Sequence, residues 1–363
     1  MRASRTLPVR DCKCRLRPGP AAPSCHPPTL HPLATIAARA IERRHDLLTR
    51  LHADGTDCYR LLHGIAEGAP GLTLDRYGPL LLAQTFRDPL PGAVIDGLCA
   101  AVRDATGLDL EIVHNHRGAP SAAHVADHEP TATALAEHVC REGPVRFVVQ
   151  ARHRGQDPWL FLDLRAGRRA VRGLATGRRV LNLFAYTCGV GVAAAVAGAA
   201  TVQNVDFAQS ALEVGRRNAA ANGIAADRFT TLHSDCLPVL RQLAGQPVQR
   251  RGRHVPFVRI DAQPFDLIVL DPPRLARSRF GTVDVVRDYP SLWKPCLLAL
   301  APGGAVLATN HVPEVAESDW HQVLRKSAEK AGRPLRSLEP IAVDDDFPSF
   351  DGRPPLKVVL ATV

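Results

Sequence analysis

Three aspartates stand at the ends of apolar segments that are spaced like the strands of a parallel sheet. Asp206 ends TVQNVD, Asp235 follows FTTLH within HSD, and Asp271 directly follows FDLIVL. Upstream, RVLNLF runs into the turn AYTCGVG, where Gly189 and Gly191 permit unusual φ angles and add no side-chain bulk. Ligands of open α/β sheets bind beyond the carboxyl ends of the strands, so these residues are expected to line one site.

The glycine turn favours a nucleoside over a nucleotide as the ligand. A dinucleotide turn needs GxGxxG and a phosphate loop needs GK[ST], but this turn has only GVG after the bulky Tyr186 and Thr187. A carboxylate at Asp206 can accept both hydroxyls of a ribose, and Asp235 is placed near an adenine edge. We therefore expect a nucleoside without phosphates, such as S-adenosylmethionine. The alternative is a plain tight turn with surface aspartates.

The sequence Asp271-Pro272-Pro273 follows an apolar strand and stiffens the chain at the same edge of the sheet. The two prolines remove two N–H donors and fix the backbone, which holds the Asp271 carboxylate in one geometry. Such a carboxylate can accept hydrogen bonds from an amino group or a ring N–H. An ordinary turn is the alternative interpretation.

Strands and helices alternate from Gly177 to the end of the sequence, which predicts a doubly wound, mostly parallel α/β sheet. The last strand can insert antiparallel, because no further element follows it. The predicted strands are RVLNLF, TVQNV, FTTLH, FDLIVL, AVLATN, a segment near 337–343 and LKVVLATV, and the predicted helices are about 191–199, 208–222, 236–244, 287–300 and 317–331.

A small α+β unit is predicted ahead of this sheet. A helix is expected from about Leu33, and residues 118–135 are expected to be an irregular, polar connection. The other elements are the strand CYRLLHG, the hairpin LTLDRYGPLLLAQTF, the helix 92–105, the strand LEIVHNH, and the strands VRFVVQARHR and PWLFLDLR that lead into the next domain.

Composition indicates a folded, soluble chain of 363 residues, and its apolar runs are too short to cross a membrane. The nine cysteines are scattered and odd in number, which favours reduced thiols over a disulfide or zinc framework. The net charge is +9, but residues 1–50 carry +7 of it, so the high pI says little about the folded part. Residues 1–33 are basic and proline-rich and are expected to be disordered. The segment could serve as an RNA-binding arm, as a transit peptide, or be a non-functional extension.

Four segments together resemble the class I S-adenosylmethionine-dependent methyltransferases that modify bacterial large-subunit ribosomal RNA. They are LNLFAYTCGVGVAA, VQNVDFAQSALEVGRRNAAANG, FDLIVLDPPR and LAPGGAVLATN. The resemblance implies a Rossmann-like seven-stranded sheet over residues 141–363, preceded by a small α+β domain at 34–140 and the extension 1–33. It also implies S-adenosylmethionine as cofactor, RNA (23S rRNA) as partner, no membrane, and a cytoplasmic location.

The resemblance also assigns cofactor contacts, residue by residue. The lead-in segment PWLFLDLRAGRRAV is similar to a family segment near the cofactor, and the glycine turn wraps the methionine part in this family. For Phe184 and Tyr186, ordinary packing is the alternative. The implied cofactor residues are Asp163, Arg165, Asn182, Phe184, Tyr186, Gly189, Asp206, Asp235 and Asp271.

The segment LATNHV bears on which base is methylated. Methylating carbon 5 of cytosine requires a cysteine thiolate that adds to carbon 6. RNA enzymes of that branch carry the cysteine in a Ser/Thr-Cys-Ser/Thr pattern after the fifth strand, where this chain has Thr309-Asn310-His311. The fourth-strand motif DPPR has no cysteine either. We therefore predict that the chain does not make 5-methylcytosine by the usual mechanism.

Asn310, together with VDVVRDYPSL upstream, resembles the branch that methylates guanine N7. That reaction needs no covalent intermediate, because orientation of the base is sufficient. The implied catalytic residues are Asp271, Pro272 and Asn310, and His311 is either an assisting or an ordinary surface residue. Adenine-N6 enzymes prefer an aromatic residue after DPP, where this chain has Arg274.

Arginines beside the expected active edge suggest contacts with RNA. PRLARSRF carries Arg274, Arg277 and Arg279, and the insert QRRGRHVPFVR at 249–259 carries four more. A solvated basic loop is the alternative. Two other functions remain open, which are methylation of a small molecule and non-catalytic binding of S-adenosylmethionine and RNA.

Overall fold

The computed structural model describes residues 31–117, 131–153, 157–248, 257–278 and 280–363. The extension predicted at 1–33 therefore lies almost entirely outside the described residues. Residues 31–363 form one compact unit, and the domain boundary at residue 140 stays a prediction. No helix within the described ranges has both the length and the apolar character needed to cross a membrane.

The N-terminal part contains a four-stranded sheet covered by helices on one face. The sheet order is β1 (Cys58–His63), β2 (Leu72–Tyr77), β3 (Leu80–Thr85) and β4 (Glu111–His116), with β4 parallel to β3 and the other pairs antiparallel. The helices are α1 (Pro32–Arg43), α2 (His45–Ala53) and α3 (Gly92–Thr106). The predicted strands and the helix 92–105 are confirmed, and the helix predicted from Leu33 is divided at Arg44.

Alternation along β3 gives the small sheet two different apolar faces. Leu81 and Ala83 pack with the helices, whereas Leu80 and Leu82 join a core that also contains Phe147. Gly78 makes the β2–β3 turn with a φ of 59°, and an added Cβ would lie 2.7 Å from the Val139 carbonyl oxygen. Only glycine fits at that position without a backbone shift.

The connection between the sheets differs from the sequence prediction. It contains α4 (Ala132–Leu135), β5 (His138–Glu142), β6 (Val145–Val149) and α5 (Arg165–Leu174). The strand predicted over VRFVVQARHR is confirmed as β6, whereas β5, with which it forms a hairpin, was not predicted. The prediction of a strand over PWLFLDLR was wrong, because this segment holds a 3₁₀ turn at Leu162–Leu164 that leads into α5. A short apolar run does not reveal by periodicity alone whether it forms a strand or an irregular buried segment.

The second sheet has seven strands in the order β14-β15-β13-β10-β7-β8-β9. Only β15 runs antiparallel to the others, as predicted. The strands are β7 (Arg179–Leu183), β8 (Thr201–Asp206), β9 (Phe229–His233), β10 (Phe265–Leu270), β13 (Leu300–Asn310), β14 (Ser337–Pro340) and β15 (Lys357–Thr362). Strand order reverses between β7 and β10, which is where such sheets bind ligands.

The predicted helices of this part are present with small shifts at their ends. They are α6 (Gly189–Val196), α7 (Gln209–Ala221), α8 (Cys236–Leu243), α9 (Pro290–Leu298) and α10 (Glu317–Lys330). The chain after β10 forms a hairpin that was not predicted, made of β11 (Leu275–Ser278) and β12 (Gly281–Asp284).

A buried ion-pair network ties α5 to the loop after β14. The Arg165 guanidinium donates to Asp344 at 2.8 Å and to Asp346 at 2.6 Å, and the backbone N–H of Arg60 donates to the other Asp346 oxygen. Asp346 is completely buried. Arg165 therefore ties α5 to the loop after β14 and to the start of β1. Its implied contact with the cofactor stays a prediction.

Replacing Arg165 with alanine is expected to lower the free energy of unfolding by about 3 kcal/mol, because it leaves Asp346 buried without its cation. Arg169 is the matched control, since it also pairs with Asp344 but is 58% exposed, against 4% for Arg165. Arg169→Ala should cost less than about 1 kcal/mol. Urea unfolding measures both, and equal losses would contradict this assignment.

Candidate active site

A cavity of about 530 Å³ opens at the point where strand order reverses in the seven-stranded sheet. Its walls come from the segment before α5, the turn after β7, the end of β8, the residues after β10 and His311. It brings together seven of the implied cofactor residues, which are Asp163, Asn182, Phe184, Tyr186, Gly189, Asp206 and Asp271. Arg165, Asp235, Pro272 and Asn310 are not among its lining residues.

The turn after β7 has an unusual backbone. Phe184, Tyr186 and Cys188 have φ angles of 55°, 48° and 61°, a region that non-glycine residues adopt infrequently and mostly at functional sites. The Tyr186 hydroxyl donates to Asp157 at 2.6 Å, and the Thr187 hydroxyl donates to the Trp159 carbonyl at 2.6 Å. These bonds fix the turn against the segment before α5.

Two glycines let other groups approach this turn closely. A Cβ on Gly191 would lie 2.0 Å from the Asn204 amide oxygen, which also accepts a hydrogen bond from Asn182 at 2.9 Å. A Cβ on Gly215 of α7 would lie 2.4 Å from the Cys188 sulfur. Gly191 therefore makes room for a buried amide pair, whereas Gly189 lines the cavity as expected.

Asp206 is the buried carboxylate of the cavity. One oxygen accepts the Tyr186 N–H and the other accepts the Ala208 N–H, both at 2.8 Å. Burial raises the pKa of this carboxyl, and the backbone N–H groups oppose that shift. A carboxylate has about four acceptor positions, so acceptor capacity remains for two further donors. The site therefore fits the two hydroxyls of a ribose.

Asp235 carries an unused acceptor at the start of α8, two residues after the end of β9. It caps α8 by accepting the Leu237 N–H at 2.8 Å through Oδ1. Oδ2 is buried and has no hydrogen-bond partner among the described atoms. A buried acceptor without a partner is costly, and an exocyclic amino group of a ligand would satisfy it.

Replacing Asp235 with asparagine separates these two roles. Asparagine caps helices as well as aspartate does, but its amide group replaces the Oδ2 acceptor with a donor. Affinity for S-adenosylmethionine should therefore fall about tenfold, while the melting temperature changes little. Calorimetric titration and thermal unfolding measure the two quantities. Unchanged affinity would mean that Asp235 is only a helix cap.

Asp271 lines the cavity directly after β10, which flanks β7 on the side away from β8 and Asp206. The Thr309 hydroxyl donates to Asp271 Oδ1, and the Tyr289 hydroxyl donates to the Thr309 carbonyl at 2.9 Å. Burial raises the pKa of the Asp271 carboxyl, while the bond from Thr309 and the nearby His311 oppose that shift. Pro273 lines the cavity and Pro272 is buried behind it.

Asn310 ends β13 in a buried position next to the cavity-lining His311. Its Oδ1 accepts the Val312 N–H at 3.0 Å, which fixes the orientation of the amide. Its Nδ2 is buried and lacks a hydrogen-bond partner within the described part of the chain. Asn310 therefore holds one donor whose partner is not supplied by the described protein atoms.

Several cavity residues escaped the sequence interpretation, among them Trp159, Phe161, Arg168 and Phe207. The buried Arg168 donates to Glu142 at 2.7 Å and to the Phe161 carbonyl at 2.9 Å. A helical interpretation of RAGRRAV would have placed Arg168 on the same face as Arg165. Phe207 directly follows Asp206, and its ring is largely exposed at the cavity.

The described cysteines do not open into this cavity, although Cys188 lies within the turn after β7. None of the six described cysteines, Cys58, Cys99, Cys140, Cys188, Cys236 and Cys296, lines it. Burial raises the pKa of the Cys188, Cys236 and Cys296 thiols, which disfavours the thiolate needed for nucleophilic attack. Cys12, Cys14 and Cys25 lie outside the described residues.

Arg274 and Arg277, two of the arginines expected to contact RNA, are among the described residues and follow the cavity-lining Pro273 in the chain. Arg274 is exposed and pairs with Glu314 at 3.2 Å, and Arg277 is exposed on β11. Arg279 lies outside the described residues, as do all the arginines of the 249–259 insert except Arg259.

A seven-stranded sheet of this order is the fold of a class I methyltransferase, and its cavity is lined by a glycine turn and by Asp206 and Asp271 at the strand ends. The family model described as S-adenosylmethionine-dependent methyltransferase matches residues 59–362, so the chain belongs to that family. The enzyme therefore uses S-adenosylmethionine, and Asp206 lines the cavity with acceptor capacity that is not used within the protein.

Curated relatives and solved structures agree with this family. The chain is 30% identical over 325 residues to "Ribosomal RNA large subunit methyltransferase I" of Aeromonas hydrophila, covering 85% of this chain and 74% of that protein. It is 31% identical over 304 residues to "Ribosomal RNA large subunit methyltransferase" of Deinococcus radiodurans, covering 82% and 71%. A candidate SAM-dependent methyltransferase from Streptococcus mutans shares the fold with a TM-score of 0.70 at 22% identity, over 91% of this chain and 80% of that chain.

Proposed function

We propose that this enzyme methylates a base of RNA, in 23S rRNA, by direct transfer to guanine N7 in the cytoplasm. The observation that carries the proposal is the composition of the cavity wall after β10 and β13. Asp271, Pro273 and His311 line it, and none of the described cysteines does. The names of the curated relatives support large-subunit rRNA as the substrate.

Guanine N7 suits a site without a nucleophile. S-adenosylmethionine supplies a methyl group bound to a sulfonium. N7 already has a lone pair, so no proton must leave and no covalent intermediate is needed. The protein then accelerates the reaction by holding the base in line with the methyl group.

The orienting groups match the edges of guanine. The Asp271 carboxylate, positioned by Thr309, accepts hydrogen bonds from the ring N–H and amino group of the base. This leaves the N7 lone pair available for methylation. Asn310 is included as a residue that supports this wall, because it precedes the cavity-lining His311 and its buried amide is held by the Val312 N–H.

The β11–β12 hairpin supplies a surface for the surrounding RNA. The exposed Arg274 stands between Pro273 and the hairpin, and the exposed Arg277 lies on β11. Arginines in this position can pair with phosphates and stack on unpaired bases. Arg279 lies outside the described residues and stays a candidate RNA contact from the sequence alone.

The RNA substrate is tested by transfer of labelled methyl groups to unmodified 23S rRNA, with 16S rRNA as the matched control. We expect label in the 23S rRNA only. Label in neither RNA, from protein that binds S-adenosylmethionine, would contradict the proposal and favour a small-molecule substrate or a non-catalytic role.

A further inference from the structure

A second cavity, of about 220 Å³, lies between the small sheet and the segment that precedes α5. It shares Leu160, Phe161, Asp163 and Leu356 with the cofactor cavity, so the two cavities are neighbours with common walls. Its volume is below the range that is typical of sites for whole drug-sized ligands, which suits a single heterocycle. The proposed function leaves this cavity without a role.

Arginine and aromatic side chains pair at two places around this cavity. The Arg60 guanidinium lies 4.6 Å from the centroid of the Phe347 ring. The Arg117 guanidinium lies 5.5 Å from the Phe86 ring centroid, and Phe86 is 45% exposed although it is a large apolar residue. Aromatic rings and guanidinium planes are the surfaces on which proteins stack unpaired RNA bases.

The charges of this cavity favour a neutral ligand over a phosphate. Arg60 is already bound by both oxygens of Asp75, at 2.7 and 2.9 Å. Burial, followed by the charge of Arg60, lowers the pKa of His63 to about 4, so this imidazole is neutral near pH 7. Asp157 and Asp163 add carboxylates to the walls.

One polar atom of the cavity has no partner. Thr73 is 8% exposed, and its hydroxyl oxygen is buried without a hydrogen bond to any atom that the structure describes. Thr73 pairs with Gln84 across β2 and β3, so both side chains lie on the same face of the sheet and both line the cavity. The hydroxyl can both donate to and accept from the edge of a base.

We propose that this second cavity binds the base of a nucleotide next to the methylated one in the RNA. The inference rests on the proposed function. A base must leave its stack to enter the cofactor cavity, which exposes its neighbours and costs stacking energy. A stacking surface beside the cofactor cavity would recover part of that cost and fix the position of the RNA chain.

Two variants and one control test this inference. Phe86→Ala removes the stacking ring, and Thr73→Val removes the unpartnered hydroxyl in a nearly identical shape. Phe350→Ala is the control, because Phe350 is an exposed aromatic residue that lines neither cavity. Affinity for unmodified 23S rRNA should fall about tenfold in Phe86→Ala, and less in Thr73→Val, with affinity for S-adenosylmethionine unchanged. The melting temperature of Thr73→Val should not fall, since the hydroxyl makes no bond to any described atom of the protein.

Ultraviolet cross-linking of wild-type protein to 23S rRNA, with mass spectrometric mapping, adds a readout that does not need turnover. We expect nucleotides attached to the peptide that contains Phe86. Absence of that cross-link, or wild-type RNA affinity in both variants, would overturn the inference. If 23S rRNA is methylated normally by both variants, the proposed function stands and only the second cavity loses its role. If the wild-type enzyme transfers no methyl group to RNA, the proposed function itself fails.

Discussion

Replacing Asp206 with alanine is expected to weaken S-adenosylmethionine binding about a thousandfold, which corresponds to the loss of a buried, hydrogen-bonded charge from a binding site. The carboxylate is 4% exposed and lies at the end of β8. One oxygen accepts the Tyr186 N–H and so holds the turn after β7, and the other accepts the Ala208 N–H just before α7. The substitution therefore removes the acceptors for the ribose and loosens the turn that surrounds the methionine part.

Calorimetric titration with S-adenosylmethionine measures this effect on protein shown to be folded by circular dichroism. Asp227→Ala is the matched control, because Asp227 is an exposed aspartate in the loop before β9 and does not line the cavity. Asp206→Asn keeps one acceptor oxygen and should bind S-adenosylmethionine with intermediate affinity. This variant provides the test if Asp206→Ala does not fold. Wild-type affinity in Asp206→Asn and Asp206→Ala would remove Asp206 from the cofactor site.

Replacing Asp271 with alanine is expected to slow methyl transfer by about a hundredfold or more, as happens when one positioned polar group is lost from a preorganised site. The physical reason is that the base loses the carboxylate that orients it. Affinity for the cofactor should change much less than in Asp206→Ala. Single-turnover transfer to 23S rRNA at saturating cofactor measures the chemical step separately from binding.

Thr309→Val provides a graded comparison for Asp271. It removes the hydroxyl that donates to the Asp271 carboxylate and leaves the carboxylate in place. We expect a loss of about tenfold in the single-turnover rate, because the orienting group remains but is held less firmly. A normal rate in Asp271→Ala would show that this carboxylate does not orient the base.

The mostly parallel sheet and seven of the nine implied cofactor residues could be predicted from the sequence because they depend on local patterns. Apolar strands that end in Asp206 and Asp271, separated by helices of regular length, leave few ways to build a parallel sheet. The right-handed crossovers then bring those strand ends to one edge. The seven implied cofactor residues that line the cavity all lie at or near such strand ends or in the segment before α5.

The remaining features depend on contacts that a linear pattern does not encode. Arg165 and Asp346 are separated by 181 residues, so the sequence could not show that this arginine is held in an ion pair. In β5 the charged Glu142 is buried and the apolar Val139 is exposed, because Glu142 pairs with the buried Arg168. The burial of Asn310 likewise follows from its central strand and not from its neighbours in sequence.

The identity of the methylated nucleoside tests the central claim most directly. Purified enzyme is incubated with labelled S-adenosylmethionine and unmodified 23S rRNA, the RNA is digested, and the labelled nucleoside is identified by mass spectrometry. Direct transfer at a site without a nucleophilic cysteine predicts 7-methylguanosine. Labelled 5-methylcytidine would contradict the account, because it would require a thiolate that none of the described cysteines brings to the cavity.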